Sequence, residues 1–409
     1  MRCAGSRSMA DVRDAPDDAF IAAVRARFPV EPEIDRVLTA KLRNRAGPGY
    51  QAIPLDRLAE GSAALIRSAI GDDFAIRNTR WLGGGASKLQ MAFDLEWNGF
   101  DKGARRTTAL VLRMEPPASI VETSRRREYE MLGLMRGVVP VPDCYWVDVE
   151  GEHLPHPGLI YGMAEGVTKP STRPLQQVSG IGTNFGPELR AILADQFVAH
   201  MAAVHTVPSE RFAALTAFEP ATVGSNASIV RQVNWWRRVW EEDRPEAVPL
   251  VEVAANWLVA NAPALDHVSP VHGDFRAGNF LYSEETQKIT AWLDWELAVL
   301  GDRHQDLAWT TGGHFGHYAE DDRTFLASGL LPAEALFERY EKVSGLAVDP
   351  ARLRYFRVYN DFASCVHMLA TAWRVARHAK THQDVVVAWL AMIGNVIGGA
   401  LCNTLEELI

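Results

Sequence analysis

The sequence predicts an α+β fold in two lobes, a five-stranded antiparallel sheet with one helix followed by a larger, mainly helical lobe. Between residues 74 and 166 the apolar residues come in short runs rich in β-branched and aromatic side chains, which is typical of strands. From residue 187 onward, longer stretches repeat apolar residues at helical spacing. The chain of 409 residues also exceeds the size at which one hydrophobic core usually stops growing. These observations favour two lobes over one continuous core.

Five short runs are predicted as the strands of the sheet. They read FAIRNTRWL, LQMAFDLEW, TTALVLRM, VPVPDCYWVDVEG and GLIYGMAEG. A helical pattern from about Ile120 to Met135 lies between the third and the fourth run. The turn-forming cluster GGGAS, residues 83–87, lies between the first two runs. The helix is therefore expected to connect strands three and four.

Helices are also predicted before the sheet. The first apolar residues share one face at helical spacing, namely Phe20, Ile21, Val24 and Phe28. The segments 35–42 and 55–70 continue in the same style. We therefore expect a helical extension over residues 1–73 packed on the next lobe, a sheet lobe over 74–166 and a helical lobe over 167–409.

Charge and cysteine content limit the classes of function. Lys and Arg total 42 and Asp and Glu total 51, which gives a net charge of −9. Nucleic-acid binding without sequence preference needs basic residues that neutralise phosphates, so no nucleic-acid partner is expected. The short basic clusters at 105–106 and 125–127 are interpreted as solvated faces. The four cysteines include no CxxC pair, which fits reduced thiols and a cytoplasmic protein.

One apolar run raises the question of a membrane. Residues 385–402 read VVVAWLAMIGNVIGGALC, which is long enough to span a bilayer and places Gly394 and Gly398 at GxxxG spacing. The run has no flanking Lys or Arg, and the N-terminal residues lack the apolar stretch of a signal peptide. We therefore expect a buried C-terminal helix and no membrane partner.

The motif that carries chemistry is VHGDFRAGN, residues 271–279, with Asp294 fifteen residues further on. Asn279 opens a short apolar strand, and the polar turn SEETQK is expected to return the chain antiparallel, so that Asp294 lies beside Asn279. Two hard oxygen ligands from neighbouring strand ends suit Mg²⁺, which takes few protein ligands and keeps several waters. Asp274 then stays available to orient an acceptor hydroxyl, which is what phosphoryl transfer requires.

These residues resemble the aminoglycoside phosphotransferase-like family, whose fold is similar to that of protein kinases. The family shows an HGDxxxxN loop followed by a metal-binding aspartate, matched here by His272, Gly273, Asp274, Asn279 and Asp294. The sequence is most similar in character to the phosphotransferase domains fused to some acyl-CoA dehydrogenases. The resemblance implies a bilobal protein-kinase-like fold, ATP and Mg²⁺ as cofactors, Asp274 as the catalytic base, and Asn279 and Asp294 as the metal ligands.

The resemblance extends to the sheet lobe with one departure. Gly84, Gly85 and Ser87 lie where the phosphate-covering loop belongs, and backbone N–H groups there could hold phosphates. An ordinary hairpin turn is the alternative. On the third strand Arg113 stands where the family has a lysine, and arginine can bind phosphate through two parallel hydrogen bonds. Glu128 is the predicted partner of Arg113, unless it is an exposed helical glutamate.

The remaining predicted site residues lie between the lobes and in the motif. GLIYGMAEG resembles the hinge whose backbone binds adenine, with Met163 and Glu165 as the binding residues; a buried strand end is the alternative for Met163. Arg276 is predicted either to contact the transferred phosphate or to form a salt bridge. His272, His205 and Asp306 are predicted to be structural.

The leading hypothesis is an ATP-dependent small-molecule kinase that acts on an alcohol. The acceptor is a hydroxylated metabolite, a hydroxyacyl thioester or an aminoglycoside, and Trp235, Trp236 and Trp240 either wall its pocket or belong to the core. The alternative is a nucleotide-binding, non-catalytic protein that acts through partners, which the departure at Arg113 would explain. The sequence does not fix the oligomeric state.

Overall fold

Three helices precede the sheet. The structure, a computed structural model, describes residues 11–83, 87–171 and 182–408. The first three helices are α1 (Asp18–Arg27), α2 (Pro32–Arg43) and α3 (Leu55–Ile70). Asp17 caps α1, because its carboxylate accepts a hydrogen bond from the backbone N–H of Phe20 at 2.8 Å. The predicted helical extension is therefore present.

The five predicted strands form one antiparallel sheet in the order β1-β2-β3-β5-β4. Their alternating apolar residues pack beneath the sheet in a core that includes Met91, Phe93, Leu110 and Leu112. This confirms the predicted sheet lobe. The strands are β1 (Phe74–Trp81), β2 (Leu89–Trp97), β3 (Arg106–Met114), β4 (Cys144–Asp148) and β5 (Gly158–Gly162).

The helix between the third and fourth strands, α4 (Arg125–Met135), begins five residues later than predicted. Ser124 is its N-cap, and the Ser124 hydroxyl accepts a hydrogen bond from the backbone N–H of Arg127 at 3.3 Å. Residues 115–123 instead form an irregular segment in which Ser119 and Thr123 are buried. Helical spacing alone did not reveal this cap.

The helical lobe contains the long helices that the sequence predicts and two that it did not, α8 (His304–Thr310) and α9 (Ala333–Ser344). A π-helical turn, His367–Thr371, joins α10 (Pro350–Val366) to α11 (Ala372–Arg377). Three short strand pairs are inserted: β6 (Ser269–Val271) with β9 (Val299–Gly301), β7 (Phe280–Tyr282) with β8 (Ile289–Trp292), and β10 (His317–Tyr318) with β11 (Phe325–Leu326). The helices are α5 (Pro187–His205), α6 (Ala227–Asp243), α7 (Pro249–Ala260), α8 (His304–Thr310), α9 (Ala333–Ser344), α10 (Pro350–Val366), α11 (Ala372–Arg377) and α12 (Asp384–Glu406).

The chain crosses between the lobes at Gly166. Its φ is +129°, and a Cβ at this position would lie 2.8 Å from both the Thr290 hydroxyl and the Tyr282 carbonyl oxygen. Only glycine combines this backbone conformation with so close an approach. Immediately afterwards Val167 pairs with Tyr282 through two backbone hydrogen bonds of 2.9 and 3.0 Å. The crossing therefore joins the end of the sheet directly to the β7–β8 hairpin.

The N-terminal extension packs on both lobes rather than on the sheet lobe alone. Leu58 and Ile66 of α3 are buried in the core beneath the sheet. Ile34 and Leu38 of α2 instead join a core of the helical lobe that includes Trp235 of α6. The extension therefore bridges the lobes, and the division of the chain at residues 73 and 166 stays a prediction.

The terminal helix α12 is only half buried, which corrects the prediction of a buried helix. Ile397, Leu401 and Leu405 pack into the core of the helical lobe. On the opposite face Met392 and Val396 are 70% and 66% exposed. Among the described residues one helical span, Val386–Glu406, is apolar and long enough to cross a membrane, and 22% of an 18-residue stretch of it is buried.

A buried ion cluster fastens the extension to the helical lobe. Asp243, at the end of α6, is paired with Arg45 at 2.6 Å and with Lys41 at 3.2 Å, and it accepts a hydrogen bond from the Thr371 hydroxyl at 2.9 Å. Burial alone would raise the pKa of Asp243, but the two cations outweigh burial and hold the pKa far below its usual value. The carboxylate is therefore ionised wherever the protein is folded near neutral pH.

We expect the Asp243→Asn substitution to lower the free energy of unfolding by about 3 kcal/mol, because Asp243 is the ion-pair partner of the buried Arg45 in the described chain, whereas Lys41 keeps Glu242 at 2.7 Å. Urea unfolding measures the change. Asp72→Asn is the matched control, since Asp72 pairs with Arg67 while 83% exposed; its effect should stay within about 0.5 kcal/mol. Equal effects of the two substitutions would contradict a stabilising role of the cluster.

Candidate functional site

The motif residues 272–279 form a loop between β6 and β7. Gly273 has a φ of +82°, and a Cβ there would lie 2.7 Å from the Leu297 carbonyl oxygen. The motif glycine is therefore required both by its left-handed backbone and by contact with the turn that follows Asp294. The HGD loop and the segment containing Asp294 are packed directly against each other.

Asp306 holds the start of this loop. Its two carboxylate oxygens accept the backbone N–H groups of His272 at 2.7 Å and Gly273 at 2.9 Å. The buried His205 ring lies 3.1 Å from the same carboxylate. The His272 ring in turn lies 2.9 Å from the Leu293 carbonyl oxygen. These contacts are those of residues that position the loop, as the sequence analysis expected of His205, His272 and Asp306.

Three donors surround the Asp274 carboxylate. One oxygen accepts from the Trp309 indole at 2.6 Å and from Nε of Arg276 at 2.8 Å, and the other accepts from the Asn279 amide at 2.6 Å. The side chain is still 20% exposed. Arg276 forms the salt bridge that was one of its two predicted roles, and its guanidinium lies over the Phe315 ring. Asp274 is therefore held in one orientation and remains accessible.

The hairpin β7–β8 brings Asn279 and Asp294 to neighbouring strand ends. Phe280 pairs with Trp292, and the Leu293 N–H donates to the Asn279 carbonyl at 2.8 Å. Asp294 itself has a φ of +64°, a conformation that is uncommon outside glycine and that concentrates at functional sites. Its carboxylate pairs with Arg113 and is 38% exposed. The backbone thus places Asn279 and Asp294 together. The Asn279 side chain contacts Asp274, and the Asp294 side chain contacts Arg113.

The donor set at these strand ends fits Mg²⁺. The Asn279 amide nitrogen donates to Asp274, which leaves Oδ1 of Asn279 without a hydrogen bond in the described part of the chain. Together with the Asp294 carboxylate this offers two hard oxygen ligands. In the same described part no group of three or more His, Cys, Asp or Glu side chains could hold a metal. Further ligands would therefore come from phosphate oxygens and water.

Arg113 on β3 lies among three carboxylates. Beyond its pair with Asp294, its guanidinium is 3.5 Å from Glu128 and 3.3 Å from Glu296. Burial would lower the pKa of Arg113, but the carboxylates, Asp294 foremost, raise it well above its usual value. Glu128 is buried on α4 and also pairs with Arg125. Arg113 therefore links the α4 helix to the segment predicted to bind metal.

Glu296 is the centre of a buried cluster that the sequence did not reveal. Its carboxylate is 3.1 Å from Lys88, 3.3 Å from Arg113 and 3.1 Å from Arg125. Burial would raise the pKa of Glu296, but these cations hold the pKa well below the usual range. Lys88 also pairs with Glu115 at 2.9 Å. We call Lys88, Glu115, Arg125 and Glu296 the Glu296 cluster. Arg125 is 1% exposed and Arg127 is 2% exposed, so the interpretation of residues 125–127 as a solvated face is wrong for these two arginines.

The other predicted nucleotide-binding residues take different positions. Gly84 and Gly85 lie outside the described residues. The Ser87 hydroxyl donates to Glu296 at 3.1 Å, so it is turned toward the cluster. Met163 follows β5 and is half exposed, and the Glu165 carbonyl accepts from the Thr290 hydroxyl at 2.5 Å. Met163 and Glu165 therefore lie at the crossing between the lobes, where the hinge was expected.

A cleft opens beside the loop, next to Gly273 and Trp309. Trp235 and Trp236 of α6 form an aromatic wall with their rings stacked 4.9 Å apart, whereas Trp240 does not line the cleft. None of the described lining residues is acidic; the full set is Trp235, Trp236, Gly273, Leu297, Val299, Gln305, Trp309, Tyr359, Asn360, Ala363, Ser364 and His367. The cleft therefore combines aromatic surface with uncharged polar groups.

Comparison with known proteins shows what the chain is similar to. A profile described as "Phosphotransferase enzyme family" matches residues 98–356, more than half of the chain. A Ralstonia eutropha JMP134 protein proposed to be an aminoglycoside phosphotransferase superposes with a TM-score of 0.60 at 20% identity, over 85% of this chain and 98% of that one. This likeness confirms the kinase-like fold predicted from the sequence.

Two curated relatives are larger proteins. The chain is 26% identical to mouse acyl-CoA dehydrogenase family member 10 over 49% of its own length and 18% of that protein. It is 25% identical to acyl-CoA dehydrogenase family member 11 of Pongo abelii over 62% of its own length and 32% of that protein. The chain thus spans less than a third of these relatives, and the similarity to dehydrogenase-fused domains is confirmed.

We expect Glu296→Gln to remove part of the acid sensitivity of the fold. The pKa of Glu296 is lowered in the folded protein, so its contribution to stability is present above its ordinary pKa of 4.5 and is lost as the pH falls through the folded value. The variant should be destabilised by about 3 kcal/mol at pH 7, with a shallower fall in Tm between about pH 5 and 3 than the unmodified chain.

Thermal unfolding across this pH range tests the expectation. The exposed Glu338 on α9, substituted by Gln, is the matched control and should follow the unmodified chain. If Tm fell with pH in parallel for all three proteins, protonation of Glu296 would not be linked to unfolding.

Proposed function

This chain belongs to the phosphotransferase enzyme family, and we propose that it transfers the γ-phosphate of ATP to a hydroxyl group of a small molecule with the help of Mg²⁺. The observation that carries the proposal is the juxtaposition of Asp274 and Asn279, 2.6 Å apart, with Asp294 at the neighbouring strand end. Phosphoryl transfer needs a carboxylate near the acceptor and oxygen ligands for a metal, and this arrangement supplies both.

Asp274 is the residue proposed to receive the acceptor hydroxyl. Its carboxylate is fixed by Trp309 and Asn279 and is partly exposed beside the cleft, so an alcohol there could donate its proton to it. Arg276 is proposed to turn from Asp274 toward the transferred phosphate when substrates bind, which adds positive charge to that phosphate. Positioning and charge are the main contributions a protein makes to this reaction.

The nucleotide is proposed to lie between the lobes. The backbone near Met163 and Glu165 would bind the adenine edge, and Gly84, Gly85 and Ser87 would cover the phosphates. Arg113, 3.5 Å from Glu128, is proposed to bind phosphate oxygens at the position where the family resemblance implies a lysine. Asn279 and Asp294 would hold Mg²⁺, which would neutralise negative charge on the phosphates.

The cleft favours an acceptor that is not polycationic. A binding site for an aminoglycoside would be expected to carry carboxylates that neutralise its amines, and the described lining residues include none. Trp235 and Trp236 add only a small apolar area to the cleft, because each is 4% exposed and packs in the core of the helical lobe. Among the predicted acceptors, a hydroxylated metabolite or a hydroxyacyl thioester therefore fits better, and the acyl-CoA dehydrogenase relatives agree with the thioester.

We expect Asp274→Asn to reduce kcat by roughly 10²–10⁴-fold, the usual contribution of a positioned acid or base, because the amide cannot accept the proton of the hydroxyl. ATP affinity should be nearly unchanged. A coupled assay of ADP release across hydroxylated acceptors measures kcat, and calorimetric titration measures nucleotide binding.

Asp56→Asn, an exposed change on α3, is the matched control for this experiment and should keep full activity. Full phosphoryl transfer by the Asp274→Asn protein would contradict the proposed role. If the unmodified chain bound ATP but transferred no phosphate to any acceptor tested, the non-catalytic alternative would replace the proposal.

We expect neutral or anionic alcohols to be phosphorylated with higher kcat/KM than aminoglycosides. Ser364→Asp would add a carboxylate to the buried cleft lining, and it should raise KM for such an acceptor at least about tenfold while KM for ATP is unchanged. Ser364→Ala, which removes the hydroxyl without adding charge, is the control. Preferential turnover of an aminoglycoside would contradict the proposed acceptor class.

A further inference from the structure

A second cavity lies away from the cleft, between the N-terminal extension and the end of the helical lobe. It is bounded by the end of α2, the irregular segment before α4 and the region of α11. The cavity and the cleft share no described lining residue. The charged residues of the cavity lining are Lys41, Arg45, Glu122, Asp243, Arg374 and Lys380.

The lining has four Lys or Arg side chains and two carboxylates, but Lys41 is also paired at 2.7 Å with Glu242, which lies outside the lining. Arg374 is neutralised by Asp11 and Asp14, which lie outside the cavity lining. Lys380 is buried and donates to the Asn44 carbonyl oxygen at 2.9 Å, and no carboxylate of the described chain lies within 4.0 Å of it. Lys380 is therefore a buried cation without a charged partner in the part of the chain that the structure describes.

Arg45 contributes an unsatisfied donor to the same cavity. Its Nη2 donates to Asp243 at 2.6 Å, but its buried Nη1 has no hydrogen-bond partner among the described residues. Arg45 and Lys380 line the same cavity, and burial together with the positive charge of Arg45 lowers the pKa of Lys380. Buried charges are normally paired, so Lys380 lacks an anionic partner among the described residues.

Glu122, the second carboxylate of the cavity lining, does not carry a full negative charge that could balance Lys380. It accepts a hydrogen bond from the Ser119 N–H at 3.0 Å and forms no ion pair in the described chain. Burial, together with the nearby Glu115, raises the pKa of Glu122 to about 7, so its carboxyl group is largely protonated below neutral pH.

We propose that this cavity binds a phosphate-type oxyanion between Arg45 and Lys380. The unpartnered Arg45 Nη1 and the Lys380 ammonium are the proposed donors, and phosphate brings up to two negative charges and several acceptor oxygens. The lining residue Ser119 accepts from Lys88 at 2.9 Å and donates to the Ser87 carbonyl at 3.1 Å. The bound anion therefore lies close to the Glu296 cluster without belonging to the catalytic cleft.

Calorimetric titration of the full chain with inorganic phosphate, at constant ionic strength, tests the proposal. We expect binding by the unmodified chain and at least about tenfold weaker binding by Lys380→Met, which keeps the apolar stem but loses the charge. Lys380→Arg should retain binding. Lys342→Met, on the exposed surface of α9, is the matched control and should bind like the unmodified chain.

The Arg276→Met variant distinguishes phosphate binding in this cavity from phosphate binding at the catalytic loop. Phosphate binding that survives Arg276→Met but is lost in Lys380→Met supports the cavity. Loss only in Arg276→Met, equal binding by all variants, or no binding by the unmodified chain at millimolar phosphate would overturn the proposal. A phosphomonoester titrated in parallel shows whether the natural anion is free phosphate or the phosphate group of a larger molecule, and tighter binding of either supports the site.

Discussion

The buried ion pairs around Glu296 are the interaction on which the arrangement of the two lobes depends. Glu296 follows the β7–β8 hairpin of the helical lobe, whereas Lys88, Arg113 and Arg125 come from the sheet lobe. Each of these cations is almost fully buried and would be costly without a counterion. A carboxylate of one lobe therefore neutralises cations of the other. If the lobes separated at this point, Lys88, Arg113 and Arg125 would each lose their ion pair with Glu296.

Arg113 connects this cluster to the proposed chemistry. Its guanidinium pairs with Asp294 and lies near Glu128, while the Asn279 amide donates to Asp274. If the chain acts as proposed, Asp294 would have to exchange Arg113 for the metal, and Arg113 would then be free to contact phosphate. The left-handed backbone of Asp294, with a φ of +64°, determines the position of its carboxylate before this exchange.

The sequence was sufficient to predict those parts of the fold and of the candidate site that are determined by residues close together in the chain. Strand and helix periods identified the sheet and most long helices, and the spacing from Asp274 to Asn279 and across the polar turn identified the loop and hairpin. The position of Glu128 beside Arg113 also followed from the family resemblance. In these cases the residues that decide the structure are close in sequence or belong to a recognisable motif.

The sequence was insufficient where distant segments meet. Lys88 and Glu296 are 208 positions apart in the chain, so no pattern in either segment reveals that they pair. The exposed face of α12 was missed for a related reason, since an apolar helix does not show how much of its surface finds a partner. The start of α4 depended on the Ser124 cap, which helical spacing did not show.

The most direct measurement is a crystal structure of the chain with a non-hydrolysable ATP analogue and Mg²⁺. We expect one metal ion bound by Oδ1 of Asn279 and the Asp294 carboxylate, with Arg113 on phosphate oxygens and Asp274 facing the cleft. A nucleotide complex in which Asp294 still pairs with Arg113, and in which no metal lies between Asn279 and Asp294, would contradict the proposed site.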